Sequence, residues 1–138
     1  QLDSELTICV MSTITLKNTF RIYQELSKSG IVALVLISVL GGYLAGHPFE
    51  QSVNWGRLLL TLLGVLFLAS GSSALNQIQD REMDAKMPRT AKRPLPSGRL
   101  SLGHALFFSL ASSTLGLIIL FYLDLGLALL GVLALFSY

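Results

Sequence analysis

Residues 58–75 read LLLTLLGVLFLASGSSAL, an uncharged apolar run that continues directly into the polar stretch NQIQDREMD at 76–84. A helix needs about 20 mostly apolar residues to cross the hydrocarbon core of a bilayer, which is about 30 Å thick. The run is therefore predicted to be a membrane-spanning helix. Its last turns leave the membrane and carry the polar residues with them.

Three further apolar segments are predicted to be spans: 30–46, which ends at His47-Pro48, 102–123 and 125–138. The composition agrees, because 52% of the 138 residues are hydrophobic and only 13% are charged. Soluble domains have about 25% charged residues. The sequence thus predicts an all-α fold, a polytopic transmembrane bundle of about four helices.

The remaining composition excludes several classes of protein. A single cysteine excludes a disulfide scaffold, the apolar content excludes a disordered chain, and a net charge of +2 does not indicate nucleic-acid binding. Residues 1–24 mix polar and apolar side chains and are interpreted as a peripheral leader before a transmembrane domain at 25–138. Because the last apolar run has no polar tail and the chain lacks an initiator Met, we expect a fragment of a longer protein.

Basic residues cluster on one side of the predicted spans. The loop 76–101 contains six of the ten Lys and Arg residues, namely Arg81, Lys86, Arg89, Lys92, Arg93 and Arg99. The N-terminal side contains Lys17, Arg21 and Lys28, whereas the alternate connections hold only Arg57. The positive-inside rule places the N-terminus and the loop in the cytoplasm. A bacterial inner membrane is the simplest location.

Asn76, Asp80 and Asp84 recur at a spacing of four, which places them along one side of a helix. Carboxylate and amide oxygens are hard donors, and Mg²⁺ uses one or two carboxylates together with phosphate oxygens. The plainer alternative is that these are solvated residues at a helix end. Their position at the mouth of a span favours a functional role, because acidic groups close to hydrocarbon are costly.

A basic segment follows the acidic residues at once. Pro88 is predicted to end the helix, so that residues 89–93 can fold back over the acidic side. Arg89 and Arg93 suit bidentate contacts with phosphate oxygens, and Lys92 supplies a point charge. Taken alone, these residues fit a topology signal or a contact with anionic lipid. Together with the acidic residues they predict binding of Mg²⁺ and a diphosphate, whose lipid tail would lie among the helices.

These motifs resemble a known family. The sequence NQIQDREMD at 76–84, followed by KMPRTAKRPLPSGRLS at 86–101, is similar to the first aspartate-rich motif and following loop of the UbiA-type intramembrane prenyltransferases. The resemblance covers residues 25–138. Quinone-pathway members usually have Asp after the motif's Asn, whereas Gln77 is similar to the branch that modifies heme. Lys28 resembles the basic entry to the family's first helix, although Ser29 replaces the Pro that often follows.

The resemblance implies the first half of a fold of about nine transmembrane helices and an Mg²⁺-dependent reaction. A farnesyl group would pass from farnesyl diphosphate to a vinyl group of heme b (protoheme IX) to give heme O. The resemblance assigns Asn76, Asp80 and Asp84 as catalytic Mg²⁺ ligands. It assigns diphosphate contacts to Arg89 and Arg93. Lys92, from its charge, and Lys28, from its place at the entry to the first helix, are predicted to bind the diphosphate with them. It further implies membrane lipid as surroundings, no nucleic acid, and heme A synthase or oxidase assembly factors as downstream partners.

Two alternatives stay open at this stage. One is an aromatic polyprenyltransferase of quinone or chlorophyll synthesis, which has the same fold. The other is a non-enzymatic membrane subunit whose basic loop binds a partner or anionic lipid. The family's second acidic motif does not occur in these residues, so residues 1–138 alone are expected to be inactive.

Overall fold

The computed structural model describes residues 17–46 and 52–137, and within these ranges the regular structure is helical throughout. The helices are α1 (Lys17–Leu26), α2 (Ser29–Ala45), α3 (Trp55–Gln79), α4 (Arg81–Lys86), α5 (Leu102–Leu123) and α6 (Leu125–Ser137). The predicted all-α class is thus confirmed. The first part of the predicted leader, residues 1–16, and the predicted break at His47-Pro48 lie outside the described residues.

Two helices, α3 and α5, are each long and apolar enough to cross a bilayer. Helices α1 and α2 meet these criteria only as a pair, which is bent by 64°. The predicted span 30–46 is therefore the second limb of a bent pair, and the predicted boundary after residue 24 falls within α1. Helix α6 has 13 residues, which give a length of about 20 Å.

The helix ends follow from local chemistry. The Asn54 side chain caps α3 by accepting a hydrogen bond from the Arg57 backbone N–H at 3.0 Å. Ser101 caps α5 in the same way by accepting from the backbone N–H of His104, a role for which serine is well suited. Helix α4 ends two residues before Pro88, which agrees with the predicted stop.

Small residues bring α3 and α5 into close contact. A Cβ atom on Gly116 of α5 would lie 2.7 Å from the carbonyl oxygen of Gly64 on α3. The Ser109 hydroxyl of α5 donates a buried hydrogen bond of 2.8 Å to the carbonyl oxygen of Gly71. In membranes, where lipid is as apolar as leucine, such close backbone packing is a main source of helix association.

The apolar core is thin. Its buried residues form two groups, one at the loop end with Leu26, Ala74 and Ala105, and one in the middle with Leu68, Leu120 and Ala128. The outward faces expose many large apolar side chains, including Phe107, Phe121, Tyr122, Leu130 and Phe136. Soluble monomers rarely expose apolar patches of this extent. The outward faces therefore fit a hydrocarbon environment.

Residues 87–101, here called the basic loop, join α4 to α5 through successive turns. Backbone hydrogen bonds run from Arg93 N–H to the Thr90 carbonyl at 3.0 Å and from Leu100 N–H to the Pro94 carbonyl at 3.1 Å. Gly98 has a φ of 71°, a left-handed conformation that favours glycine. The loop is thus a folded segment with its own hydrogen bonds rather than an extended linker.

Candidate functional site

Asn76, Asp80 and Asp84, here called the acidic face, lie in one helical register across the junction of α3 and α4. The Asp80 N–H donates to the Asn76 carbonyl at 2.9 Å, and the Asp84 N–H donates to the Asp80 carbonyl at 2.8 Å. Both hydrogen bonds have the i to i−4 pattern of an α-helix. The predicted helical continuation of the membrane span is therefore present, and the three side chains follow one another at intervals of one turn.

The basic loop folds back onto the acidic face at Asp84. The Arg93 Nη1 donates to Asp84 Oδ2 at 2.5 Å, and the Thr90 hydroxyl donates to the Asp84 carbonyl oxygen at 3.0 Å. Asp84 is only 6% exposed. A carboxylate so buried needs a charged or hydrogen-bonding partner. Arg93 supplies that partner and holds the loop against the helix end.

The other predicted site residues lie around this contact and remain more open. Asp80 is exposed at the helix junction, Asn76 is half-buried, and Arg89 and Lys92 are exposed on the basic loop. Lys28 lies at the bend between α1 and α2, with left-handed backbone angles of φ 48° and ψ 58°. Among the predicted site residues, all of which are described, the structure joins Asp84 to Arg93 and gives no other side-chain hydrogen bond or ion pair between them.

Gln77, the residue that distinguishes the heme branch in the sequence, has a structural role that the sequence did not predict. Its side chain is 2% exposed, and its Nε2 donates to the carbonyl oxygens of Glu25 at 3.0 Å and Leu26 at 2.8 Å. The carbonyls of a final helical turn have no partner within their helix. Gln77 therefore caps α1 from α3. Ser70, Ser73 and Gln77 are all buried and recur at i, i+3 and i+7. This spacing, which places polar side chains along one side of α3, is the signal in the sequence that could have indicated a buried role for Gln77.

Arg99 makes a second connection between α1 and the basic loop. Its Nη2 donates to Glu25 Oε2 at 2.7 Å and to the Lys92 carbonyl oxygen at 2.5 Å. The hydrogen bond from Arg99 lowers the pKa of Glu25 below its ordinary value, against the opposing effect of burial. Arg21, one helical turn before Glu25, adds a contact of 3.4 Å. In the sequence, Arg99 counted only toward the positive charge of the loop.

The donor set of the acidic face fits one kind of cation site. Within residues 17–46 and 52–137, no three His, Cys, Asp or Glu side chains are grouped so that they could hold a metal by themselves. Asp80 and Asp84 provide two carboxylates and Asn76 one amide oxygen. Mg²⁺ commonly takes one or two carboxylates and completes its shell with water and phosphate oxygens. These residues therefore fit Mg²⁺ bound together with a diphosphate better than Mg²⁺ alone.

Two apolar spaces lie on either side of α3. A cavity of about 150 Å³ between α2, α3 and α6 is lined by residues such as Val35, Leu68 and Ser73. A larger cleft of about 390 Å³ between α1, α2, α3 and α5 is lined by residues such as Tyr23 and Phe67. Both spaces border the small residues at 70–73, close in sequence to the acidic face. Their apolar lining fits a hydrocarbon chain.

Comparison with known proteins gives related sequences and no solved structure that matches the chain. The sequence model of the UbiA prenyltransferase family matches residues 34–138. The protoheme IX farnesyltransferase of Bdellovibrio bacteriovorus is 47% identical over 104 residues, which are 75% of this chain and 36% of that protein.

Two further relatives have the same name. The protoheme IX farnesyltransferase of Solibacter usitatus is 47% identical over 105 residues, which are 71% of this chain and 36% of the relative. That of Flavobacterium johnsoniae is 30% identical over 127 residues, which are 92% of this chain and 42% of the relative. The chain thus spans well under half the length of these curated relatives.

Proposed function

Because the chain belongs to the UbiA prenyltransferase family, we propose that it forms the diphosphate-binding half of an enzyme that transfers a farnesyl group from farnesyl diphosphate to a vinyl group of heme b. The product would be heme O. The relatives described above carry the name of this activity. The chain itself is an integral membrane protein, with α3 and α5 as spanning helices.

The observation that carries the proposal is the contact between Arg93 and Asp84, which joins the basic loop to the acidic face. A diphosphate bound with Mg²⁺ needs negative side chains for the cation and positive side chains for its own oxygens. Both kinds of group meet at α4, directly after the end of α3. A topology signal or a lipid contact would require the basic residues but not their pairing with a buried carboxylate.

The acidic and the basic side chains have different roles in the proposed binding. Asn76, Asp80 and Asp84 would hold Mg²⁺, which supplies neutralisation of the charge that develops on the departing diphosphate. Arg93 contacts Asp84 through Nη1, and a guanidinium has five N–H donors, so its other N–H groups can donate to phosphate oxygens. Lys28, Arg89 and Lys92 would add positive charge around the same diphosphate.

The reaction proposed here breaks the allylic C–O bond, and its electron pair leaves with the diphosphate. The vinyl group of heme b supplies the electrons of the new C–C bond, and water adds to the remaining cation and releases a proton to give a hydroxyethylfarnesyl group. The apolar cavities beside residues 70–73 would hold the isoprenoid chain. The distribution of basic residues supports a cytoplasmic location for the basic loop. A bacterial inner membrane as the location and heme A synthase or oxidase assembly factors as downstream partners are further parts of the proposal.

The test uses the full-length protein that contains this chain, expressed in membranes and supplied with Mg²⁺ and farnesyl diphosphate. One reaction receives heme b and a parallel reaction receives 4-hydroxybenzoate, and mass spectrometry identifies the products. We expect a heme that gains a farnesyl group and a hydroxyl group. Prenylation of the aromatic acceptor alone would contradict the proposal in favour of a quinone-pathway enzyme, and no transfer to either acceptor would favour a non-enzymatic subunit.

A further inference from the structure

The bend between α1 and α2, at residues 26–28, is attached to α3 by packing and by hydrogen bonds. Leu26 is fully buried against Ala74 and Ala105, and Gln77 donates two hydrogen bonds to the last turn of α1. Lys28 holds the left-handed conformation that the bend requires. The end of α1 is therefore a fixed point of the structure at the level of the acidic face.

The pair Glu25–Arg99, here called the clasp, joins this fixed point to the basic loop. The two residues are 74 positions apart in sequence and 2.7 Å apart in space. The same guanidinium donates to the Lys92 carbonyl oxygen at 2.5 Å and to the Ser97 hydroxyl at 3.1 Å. One side chain thus holds the late part of the loop both to itself and to α1.

An isolated exposed ion pair contributes little to stability. Both clasp side chains are partly exposed, Arg99 at 40% and Glu25 at 34%. The clasp differs from an isolated pair because Arg99 makes several hydrogen bonds in one network and because Glu25 lies on a helix end that Gln77 fixes. Geometry held in this way can orient a loop even where each contact is weak.

The basic loop is consequently attached at two places. Arg93 attaches it to Asp84 on the acidic face, and Arg99 attaches it to Glu25 on α1. Arg89 and Lys92, which are exposed and belong to the proposed diphosphate contacts, both precede Arg93 in the chain. The carbonyl oxygen of Lys92 accepts a hydrogen bond from Arg99, so the second attachment also holds this part of the loop. When a diphosphate binds to Arg93, Asp84 and the diphosphate share the N–H donors of the same guanidinium. The clasp does not involve the ligand, so it remains as an attachment of the loop.

We propose, on the premise of the proposed function, that Glu25 and Arg99 are positioning residues that hold the basic loop over the acidic face so that its cations meet the diphosphate. Neither residue contacts substrate in this role. Loss of either one releases the late part of the loop, and the cations that bind diphosphate then spend less time in position. The expected kinetic effect is a higher KM for farnesyl diphosphate with little change in kcat.

The experiment uses the full-length protein in membranes and four variants: Glu25→Gln, Arg99→Gln, the double variant, and Lys17→Gln as control. Lys17 is an exposed cation on the same helix as Glu25 and makes no ion pair within the described residues. The first readout is the rate of trypsin cleavage after Arg89 and Lys92, which are unchanged in all variants. The second readout is the pair KM and kcat for farnesyl diphosphate.

We expect each single variant to raise the cleavage rate and KM by about 5–10-fold, the double variant to add little to either single one, and Lys17→Gln to behave as wild type. Unchanged cleavage in the single variants would overturn the proposal, as would faster cleavage without a rise in KM. The proposal would also be overturned if the fold-changes of the two single variants multiplied in the double variant, since the two residues would then act independently. A wild-type protein without transfer activity would overturn the proposed function instead, and the cleavage rates would still report whether the clasp holds the loop.

Discussion

Replacing Gly116 by alanine should weaken the packing of α3 against α5 by about 1–3 kcal/mol. The added Cβ would lie 2.7 Å from both the Gly64 carbonyl oxygen and the Leu68 backbone nitrogen. Nonbonded carbon contacts are optimal near 3.5 Å, so the helices would have to separate by roughly 0.8 Å. Backbone atoms cannot rotate away as a side chain can. The separation would also stretch the hydrogen bond between Ser109 and Gly71, which is 2.8 Å long.

The matched control is Gly103→Ala on the same helix, where a Cβ would meet nothing within 4 Å. Because Gly103 lies in the first turn of α5, comparing the two variants removes part of the gain in helix propensity that alanine brings, which is about 1 kcal/mol in a helix interior. The measurement is the free energy of unfolding of the full-length protein in detergent, obtained by titration with a denaturing detergent. Equal stability of the two variants would refute the close approach of α3 and α5.

Three further predictions concern the loop end of the bundle. Gln77→Leu should destabilise the protein by about 1–3 kcal/mol, because two carbonyl oxygens lose their donor; an unchanged unfolding temperature would contradict the capping role. Glu25 has a lowered pKa in the folded protein, so its contribution to stability is present above its ordinary value near 4.5 and is lost as the pH falls through the lower folded value. The difference in stability between wild type and Glu25→Gln should therefore shrink only in acid, and a constant difference down to about pH 3 would contradict this. Arg93→Gln should destabilise by about 1.5–3 kcal/mol because the buried Asp84 loses its charged partner, and Asp84→Asn in the same protein should recover part of that loss in a double-mutant cycle.

The sequence predicted those features that depend on one segment at a time. The apolar runs predict helices in lipid, Ser101 caps the helix that follows it, and Pro88 ends the helix that precedes it. The helical register from Asn76 to Asp84 also follows from spacing alone. The family was identified from the same stretch, because its acidic and basic residues are contiguous in the chain.

Features that join distant segments could not be predicted in the same way. The bend at Lys28 and the cap that Gln77 places on α1 depend on contacts between residues about fifty positions apart. Arg99 is one of several cations in the basic loop, and nothing in its local sequence distinguishes it from Arg89. Only the tertiary fold brings Arg99, rather than Arg89, into contact with Glu25. The prediction began the first span at residue 30 and left residues 17–24 in the leader, whereas the structure has α1 directly before α2, across a bend of 64°.

The acidic face is proposed to bind Mg²⁺ and diphosphate in the full-length enzyme. The most direct test compares wild type, Asp80→Asn/Asp84→Asn and the control Glu82→Gln in the transfer of farnesyl to heme b, with membrane insertion measured in parallel. Glu82 is an exposed acid on the same short helix, and its nearest partner is Arg81. We predict that the double variant inserts normally and loses at least about 100-fold in transfer rate, while the control keeps its activity. Transfer at the wild-type rate by the double variant would contradict the account.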